Sequence, residues 1–161
     1  MNDHIIELTF RFLLYVFFGF SMEVVLSVVG LNITNGFRIN RRCSPKYLEG
    51  FVSLYMIPIH GLVMLFGFEF LNLQISSLHI GLRYAIWCIA ISTTEALGGF
   101  LYDKFLGFYP WDYYADSPYR VFKRGYTLWT LVPQWGIAGL VLEQWSRLLI
   151  YLSPHVHNFY R

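Results

Sequence analysis

The stretch Trp87–Trp111, WCIAISTTEALGGFLYDKFLGFYPW, decides the class of this protein. It begins as an apolar run of membrane-spanning length, carries the carboxylate of Glu95 well inside that run, and continues through the pair Gly98-Gly99 into an aromatic loop. A charge in hydrocarbon is costly, so an ionisable residue inside a span usually faces protein or water and marks a functional site. The stretch therefore predicts a membrane-spanning helix with a polar centre near Glu95.

The composition of the whole chain agrees with a membrane protein. Of 161 residues, 56% are hydrophobic, 20% are aromatic and only 14% are charged, whereas about a quarter of the residues of a soluble domain are charged. The formal net charge of +2 is too small to indicate a nucleic-acid binder. We expect the lipid bilayer as the surroundings and no nucleic acid as a partner.

Four apolar runs predict an all-α, polytopic integral membrane protein with four transmembrane helices in one bundle, because about 20 apolar residues cross the hydrocarbon core. The predicted spans are 8–30, 51–73, 82–103 and 126–152, with polar loops at 31–50 and 104–125. No linker divides the chain, so residues 1–161 form a single transmembrane domain. Pro58 lies inside the second run and predicts a kink near Ile57.

The basic residues predict the orientation. Loops one and three hold eight of them: Arg38, Arg41, Arg42, Lys46, Lys104, Arg120, Lys123 and Arg124. The opposite side holds four: Arg11, Arg83, Arg147 and Arg161. Because cytoplasmic loops carry the excess of Lys and Arg, loops 31–50 and 104–125 are predicted to be cytoplasmic, with both termini outside. The expected location is the bacterial inner membrane or an equivalent membrane.

Three ionisable residues on three predicted helices fall at nearly the same depth. At 1.5 Å per residue, Glu23, Glu95 and His60 lie about 10, 12 and 13 Å from the face that carries loops one and three. This coincidence predicts a polar cavity that opens towards the basic loops, with these three residues as candidates for ligand binding or catalysis. The alternative is a hydrogen-bonded cluster that fixes helix register and binds nothing.

The aromatic loop adds three residues to the predicted ligand-binding set. Trp111, Asp112 and Tyr113 directly follow the helix that carries Glu95. An aromatic ring and a carboxylate above the cavity could hold a cationic group. The alternative interpretation is an aromatic belt residue beside a turn-forming aspartate.

Two spacings predict packing contacts. Ala90, Thr94 and Gly98 form a stripe of small residues that would let another helix approach closely. Arg147 follows Glu143 by four residues, on the same helix face, which favours a local ion pair.

Several activities have no signature in the chain. Two carboxylates and a histidine could bind a divalent metal, but no H-E-x-x-H or comparable spacing supports such a site, so none is predicted. There is no G-x-S-x-G motif and no glycine-rich phosphate loop, so the chain is not itself an ATPase. The sequence identifies no cofactor and gives no positive sign of an enzyme.

Four motifs, in order along the chain, resemble a known family: Gly19 to Glu23, Gly50-Phe51 through Pro58-Ile59-His60-Gly61, Glu95 with its following Gly-Gly, and Trp111-Asp112-Tyr113. The chain resembles the bacterial CmpB-like family of ABC-transporter-type permeases and the related animal family of transmembrane protein 229. The resemblance runs from about Phe10 to Gln144. It implies a role in transport and gives weight to Glu23, Glu95, Trp111 and Asp112, whereas His60 stands where tyrosine is more usual.

Three functional hypotheses follow. The first is a transport-related membrane protein whose acidic cavity binds a solute or a lipid headgroup. Four short spans are few for a transporter, so it would need a homo-oligomer, a separate ATPase or another membrane subunit. The second is a membrane-embedded lipid-modifying enzyme with Glu95 or Glu23 as general base. The third is a structural or assembly factor without a ligand.

Overall fold

The computed structural model describes residues 3–29 and 50–156 of the chain. Within these residues the fold is all-α, and four long helices form its framework: α1 (Asp3–Val29), α2 (Leu54–Ile75), α3 (Ile80–Leu106) and α4 (Val132–Val156). Helices α1, α2 and α3 are long and apolar enough to cross a membrane. The predicted class, an all-α multi-pass membrane protein, is confirmed at this level.

Helix α4 is more polar than the other three helices. It has 25 residues, which at 1.5 Å per residue is about 37 Å and enough to span a bilayer. It also carries Gln134, Glu143, Gln144 and Arg147, and it is not among the three candidate spans. Because α4 packs against α3 and α1, Glu143 is turned into the protein and is fully buried.

The fourth helix begins later than predicted. Its expected start at residue 126 is wrong by six residues, because α4 begins at Val132 after a short 3-10 turn, Trp129–Leu131. Pro133 is the second residue of the helix, where the missing backbone N–H costs nothing since the first turn has no intrahelical acceptor for it. The apolar residues before it belong to the connecting loop.

Helix α2 changes geometry at Pro58. It starts with a tight 3-10 turn, Leu54–Met56, and is π-helical over Ile59–Phe68 before it becomes α-helical over Glu69–Ile75. The proline therefore lies close to the start of the helix, not in the middle of an α-helical span. π-Helical segments are rare and occur frequently at functional sites.

Helices α3 and α4 pack closely because α4 presents glycines to bulky residues of α3. A Cβ atom at Gly139 would lie 2.3 Å from the ring of Trp87, and one at Gly136 would lie 2.4 Å from the ring of Tyr84. Only a residue without a side chain fits at such a distance. The third and fourth helices thus form an antiparallel hairpin, and α1 and α2 pack against each other beside it.

The loop between α3 and α4 folds back over one end of the bundle. Gly107 ends α3 in the left-handed conformation, with φ of 79°, which favours glycine. A short 3-10 helix, Asp112–Asp116, and an antiparallel bridge between Arg120 and Leu128 follow. The loop contributes most of a buried cluster: Met56, Tyr109, Trp111, Tyr114, Leu128 and Leu131. Its aromatic residues therefore cap the bundle.

The first predicted loop lies almost wholly outside the described residues. This loop contains Arg38, Arg41, Arg42 and Lys46. Its position on the cytoplasmic side therefore remains a prediction from the sequence.

Candidate functional site

Glu23 and His60 meet between α1 and α2. Oε1 of Glu23 lies 2.7 Å from Nε2 of His60, so an ionised Glu23 accepts a hydrogen bond from the imidazole. Gly19, one turn before Glu23, makes room for the ring, since a Cβ there would lie 2.3 Å from His60 Cγ. The predicted proximity of these two residues is thus present, and their side chains remain 27% and 18% exposed.

Glu95 is held by groups from the loop and from α4. Its Oε2 accepts hydrogen bonds from the hydroxyl of Thr127 and from the indole N–H of Trp135, the latter at 3.1 Å. Neither bond supplies a positive charge. The carboxylate is therefore positioned by neutral donors.

One cavity of about 690 Å³ brings the three ionisable residues together. Glu23, His60 and Glu95 all line it, and Trp111 and Tyr113 of the loop line it as well. Its volume lies within the range of about 300–1,000 Å³ that is usual for small-molecule sites. The geometry places five of the six sequence-predicted ligand-binding residues on one surface.

Asp112 is not part of this surface. It is exposed and begins the 3-10 helix that follows Trp111, and the cavity wall is formed by Trp111, Tyr113 and Tyr114 on either side of it. From Trp111 to Asp112 the tight turn changes the direction of the side chain, so that Asp112 points away from the cavity. Asp112 therefore does not line the cavity, and its role in ligand binding stays a prediction.

The small-residue stripe on α3 mainly faces the cavity instead of a closely packed helix. Ala90 and Thr94 line the cavity, and a Cβ at Gly98 would lie 3.3 Å from Cδ1 of Ile59 and 3.6 Å from Trp111. The first distance is tight but ends at a terminal side-chain atom, and the second is an ordinary van der Waals contact. Ala90 and Thr94 border open space, whereas the close approach of α3 and α4 uses glycines of α4.

Two further buried carboxylates lie towards the opposite end of the bundle, and each has an arginine. Glu69 Oε1 lies 3.2 Å from Arg11 Nε and accepts a hydrogen bond from the hydroxyl of Tyr15 at 3.0 Å. Neither Glu69 nor Arg11 lines the cavity. These groups neutralise each other between α1 and α2.

Glu143 is paired with a residue of another helix. Its Oε2 lies 2.6 Å from Arg83 Nη1, and its Oε1 accepts the indole N–H of Trp87 at 2.7 Å. The predicted ion pair with Arg147 is wrong, because Glu143 faces α3 inside the bundle while Arg147 is exposed. Arg83 of α3 compensates the buried charge of Glu143. Arg147 cannot do so, because it points outwards from the same helix.

The pKa values of two loop tyrosines are raised by burial and by the acidic residues that line the cavity. Burial raises the pKa of Tyr113, and the nearby carboxylates of Glu23 and Glu95 raise it further. The pKa of Tyr114 is raised by burial and then by Glu95. Both phenols therefore stay protonated and present neutral aromatic surfaces beside two acidic groups.

Sequence reasoning missed the residues that hold Glu95. Thr127, Trp135 and Tyr114 are its neighbours, and they come from the loop and α4. The signal available in the sequence was weak: an indole and a hydroxyl close to the start of the fourth helix, at the depth of Glu95. Their convergence depends on how the loop folds.

A metal centre is not assembled in the part of the chain that the structure describes. Among residues 3–29 and 50–156, no three His, Cys, Asp or Glu side chains lie close enough together to hold an ion. Glu23 and His60 form a pair, and Glu95 is bound separately to neutral donors.

Comparison with known proteins assigns no family. No family model matches the chain, and no match was found among the curated proteins or the solved structures. The resemblance to CmpB-like permeases therefore rests on the sequence motifs alone.

Proposed function

We propose that this multi-pass membrane protein is transport-related and binds, in its intramembrane cavity, a solute or lipid headgroup that carries a positive charge. One contrast carries the proposal. Glu69 and Glu143 each have an arginine partner and lie off the cavity, whereas Glu23 and Glu95 line the cavity and pair with no Arg or Lys among the described residues.

The physical argument is the cost of a carboxylate that has no permanently charged partner among the described residues. A carboxylate in a low-dielectric interior is expensive unless a positive group compensates it. Two such groups on one cavity surface attract a cation, and His60 supplies a charge only when it is protonated. A bound cationic group would compensate both carboxylates at once.

The aromatic wall suits the same ligand. Trp111, Tyr113, Tyr114 and Trp135 all line the cavity. Ring faces attract cations within about 6 Å of the centroid, with Trp the strongest and quaternary ammonium groups a common ligand of aromatic cages. Acidic groups and rings together favour an organic cation over a metal ion.

The proposed side of entry combines this geometry with the basic-residue bias. Glu23, Glu95 and the loop between α3 and α4 (residues 107–131, the capping loop) lie at the end of the bundle where α1 ends and α2 begins. The bias predicts a cytoplasmic position for loops 31–50 and 104–125. We propose that the ligand reaches the cavity from that side. A transport cycle would require a homo-oligomer, a separate ATPase or another membrane subunit as partner.

One observation favours a second candidate, a membrane-embedded lipid-modifying enzyme. The 2.7 Å contact between Glu23 and His60 is within hydrogen-bond reach, the arrangement in which a carboxylate orients a histidine that acts as general base. Incubation of purified protein with radiolabelled membrane lipids tests it, and a changed lipid that disappears in His60→Ala would favour this candidate.

Choline binding tests the main proposal. Isothermal titration of purified protein should show binding of choline and much weaker binding of the neutral isostere in which carbon replaces nitrogen. Glu23→Gln and Glu95→Gln should each lower choline affinity at least tenfold, about 1.4 kcal/mol, while the thermal unfolding temperature stays close to that of the wild type. Asp112→Asn is the matched control, because it removes a nearby carboxylate that is off the cavity.

Two results would overturn the proposal. Equal affinity for choline and its neutral isostere would show that charge is not recognised. Unchanged affinity in both glutamine variants would show that the two carboxylates are a structural cluster. Uptake of labelled choline into reconstituted vesicles then distinguishes a transporter from a binding protein.

A further inference from the structure

The cavity has a polar end and an apolar end. The acidic residues, the histidine and the loop aromatics line the end beside the capping loop. The remainder is lined by residues from the middle of the helices, among them Met64, Gly67, Leu71, Ala90, Ile91 and Val141. A ligand that fills both parts must itself have a polar and an apolar end.

The apolar part extends far along the bundle. On α3 the lining residues run from Glu95 to Trp87, which is eight residues or about 12 Å at the α-helical rise. On α4 they run from Gln134 to Leu142, the same number of residues. The cavity is therefore elongated parallel to the helices, as an extended alkyl chain is.

Small residues on three helices keep this part of the cavity open. Gly67, Ala90 and Ala138 come from α2, α3 and α4. A Cβ at Gly67 would meet only a side-chain carbon of Val63, at 3.7 Å, so the glycine leaves free space instead of a close helix contact. A total volume of about 690 Å³ is that of a site for a single small molecule.

Within residues 3–29 and 50–156, no charged side chain lines the far end of the cavity, where a second headgroup would lie. Phe68 and Trp87 both line it and stack with their ring centroids 4.2 Å apart. Glu143 lies behind Trp87, bonded to it and to Arg83, and is fully buried. The ligand therefore has one polar end only.

In the described part of the chain, the polar end also has no cationic partner for a phosphate group. Among the described residues no Arg or Lys lines the cavity, and the imidazole of His60 is engaged with Glu23. A phosphate group beside two carboxylates would meet repulsion without compensation. With respect to the described residues, a cation without phosphate therefore fits the polar end better than a phospholipid headgroup does.

We propose that the ligand is a single-chain cationic amphiphile without phosphate, a long-chain amine or quaternary ammonium compound. This inference rests on the proposed function, which supplies the cationic group, and adds the alkyl chain. The ammonium group lies between Glu23 and Glu95, and the chain lies along the apolar part towards Phe68 and Trp87.

A ligand series tests the inference on the unmodified protein. Trimethylammonium compounds with methyl, butyl, octyl and dodecyl chains are titrated into protein in lipid nanodiscs, with empty nanodiscs as the correction for partitioning. Each methylene that enters the cavity should raise the affinity several-fold, up to about fourfold for full burial at about 0.8 kcal/mol. Lysophosphatidylcholine with the same chain should bind at least tenfold more weakly than the dodecyl compound.

A variant tests where the alkyl chain of the ligand lies. Ala138→Leu places a large side chain in the apolar part and should abolish the gain in affinity when the alkyl chain is lengthened beyond butyl. Ala85→Leu is the matched control, because Ala85 is exposed on α3 and does not line the cavity. If Ala138→Leu does not fold, Gly67→Leu serves instead, and the ligand series does not depend on either variant.

The outcomes separate the two proposals. Choline binding with no gain on chain extension overturns this inference and leaves the proposed function intact. Tight binding of lysophosphatidylcholine overturns the exclusion of phosphate. Absence of binding by every cation in the series overturns the proposed function and this inference with it.

Discussion

Glu23 Oε1 and His60 Nε2 lie 2.7 Å apart across the interface of α1 and α2. Their contact depends on Gly19, because any side chain there would overlap the imidazole. Both residues remain partly exposed to the cavity, so the pair is accessible where Glu143 is not. The Glu23–His60 pair is accessible from the cavity, whereas Glu143, paired with Arg83, is fully buried. This difference distinguishes the candidate site from charges that have a structural role.

The buried ion pair of Arg83 and Glu143 leads to a prediction about stability. Arg83→Met leaves Glu143 buried without its cation and should destabilise the fold by about 3 kcal/mol, since a broken buried pair strands a charge. Arg147→Met is the matched control and should stay within about 0.5 kcal/mol of the wild type, because Arg147 is exposed. Unfolding in detergent by denaturant measures both. Equal effects would contradict the assignment of Arg83 as the partner.

Helix packing gives a second prediction. Gly139→Ala should destabilise the protein by about 1–3 kcal/mol, because its Cβ would overlap Trp87, which is 1% exposed and held by Glu143. Gly98→Ala should stay within about 0.5 kcal/mol of the wild type, because the nearest atom is the end of Ile59 at 3.3 Å. Thermal unfolding compares them. A larger loss at Gly98 would show that the α3 stripe, not α4, sets helix separation.

The capping loop predicts a pH dependence of stability. Burial, and next the charge of Asp112, raises the pKa of Tyr109 to about 12 from an ordinary value of 10.0. Its hydroxyl donates a hydrogen bond to the carbonyl of Arg124. Below pH 10 the phenol is protonated in both states. Between pH 10 and 12 the unfolded state loses the proton first, so stability falls as pH rises.

Tyr109→Phe should remove this part of the pH dependence. The variant is less stable than the wild type at neutral pH because the hydrogen bond is lost. The difference in the free energy of unfolding between the wild type and the variant should narrow above pH 10, by at most about 1.4 kcal/mol per pH unit. Tyr119→Phe is the control, since Tyr119 is 43% exposed. A gap that is constant from pH 8 to 12 would contradict the raised pKa.

Topology gives a fourth prediction. Cys43 lies in the first basic loop, outside the described residues, and Cys88 is buried in α3. In a Cys88→Ala background, a membrane-impermeant maleimide should label Cys43 only after the cells are opened, because the basic bias places that loop in the cytoplasm. Labelling of intact cells would reverse the orientation and with it the proposed side of ligand entry.

The sequence by itself determined the class of the protein and the longitudinal position of its charges. Apolar runs of membrane length predict helices whatever their neighbours, because every backbone polar group in lipid must be bonded within the helix. Since the rise per residue is constant, counting along each helix also placed Glu23, His60 and Glu95 at one depth, and all three line one cavity.

Only the tertiary structure decided which charges face each other and which side chains surround them. Counting gives depth but not rotation about the helix axis, so Arg147 and Arg83 were equally available to Glu143 until the packing of α3 on α4 selected Arg83. The loop was harder still, because a 3-10 turn sends Asp112 outwards while its neighbours Trp111 and Tyr113 face the cavity. Depth is a local property of one helix, whereas facing is a property of the contacts between helices.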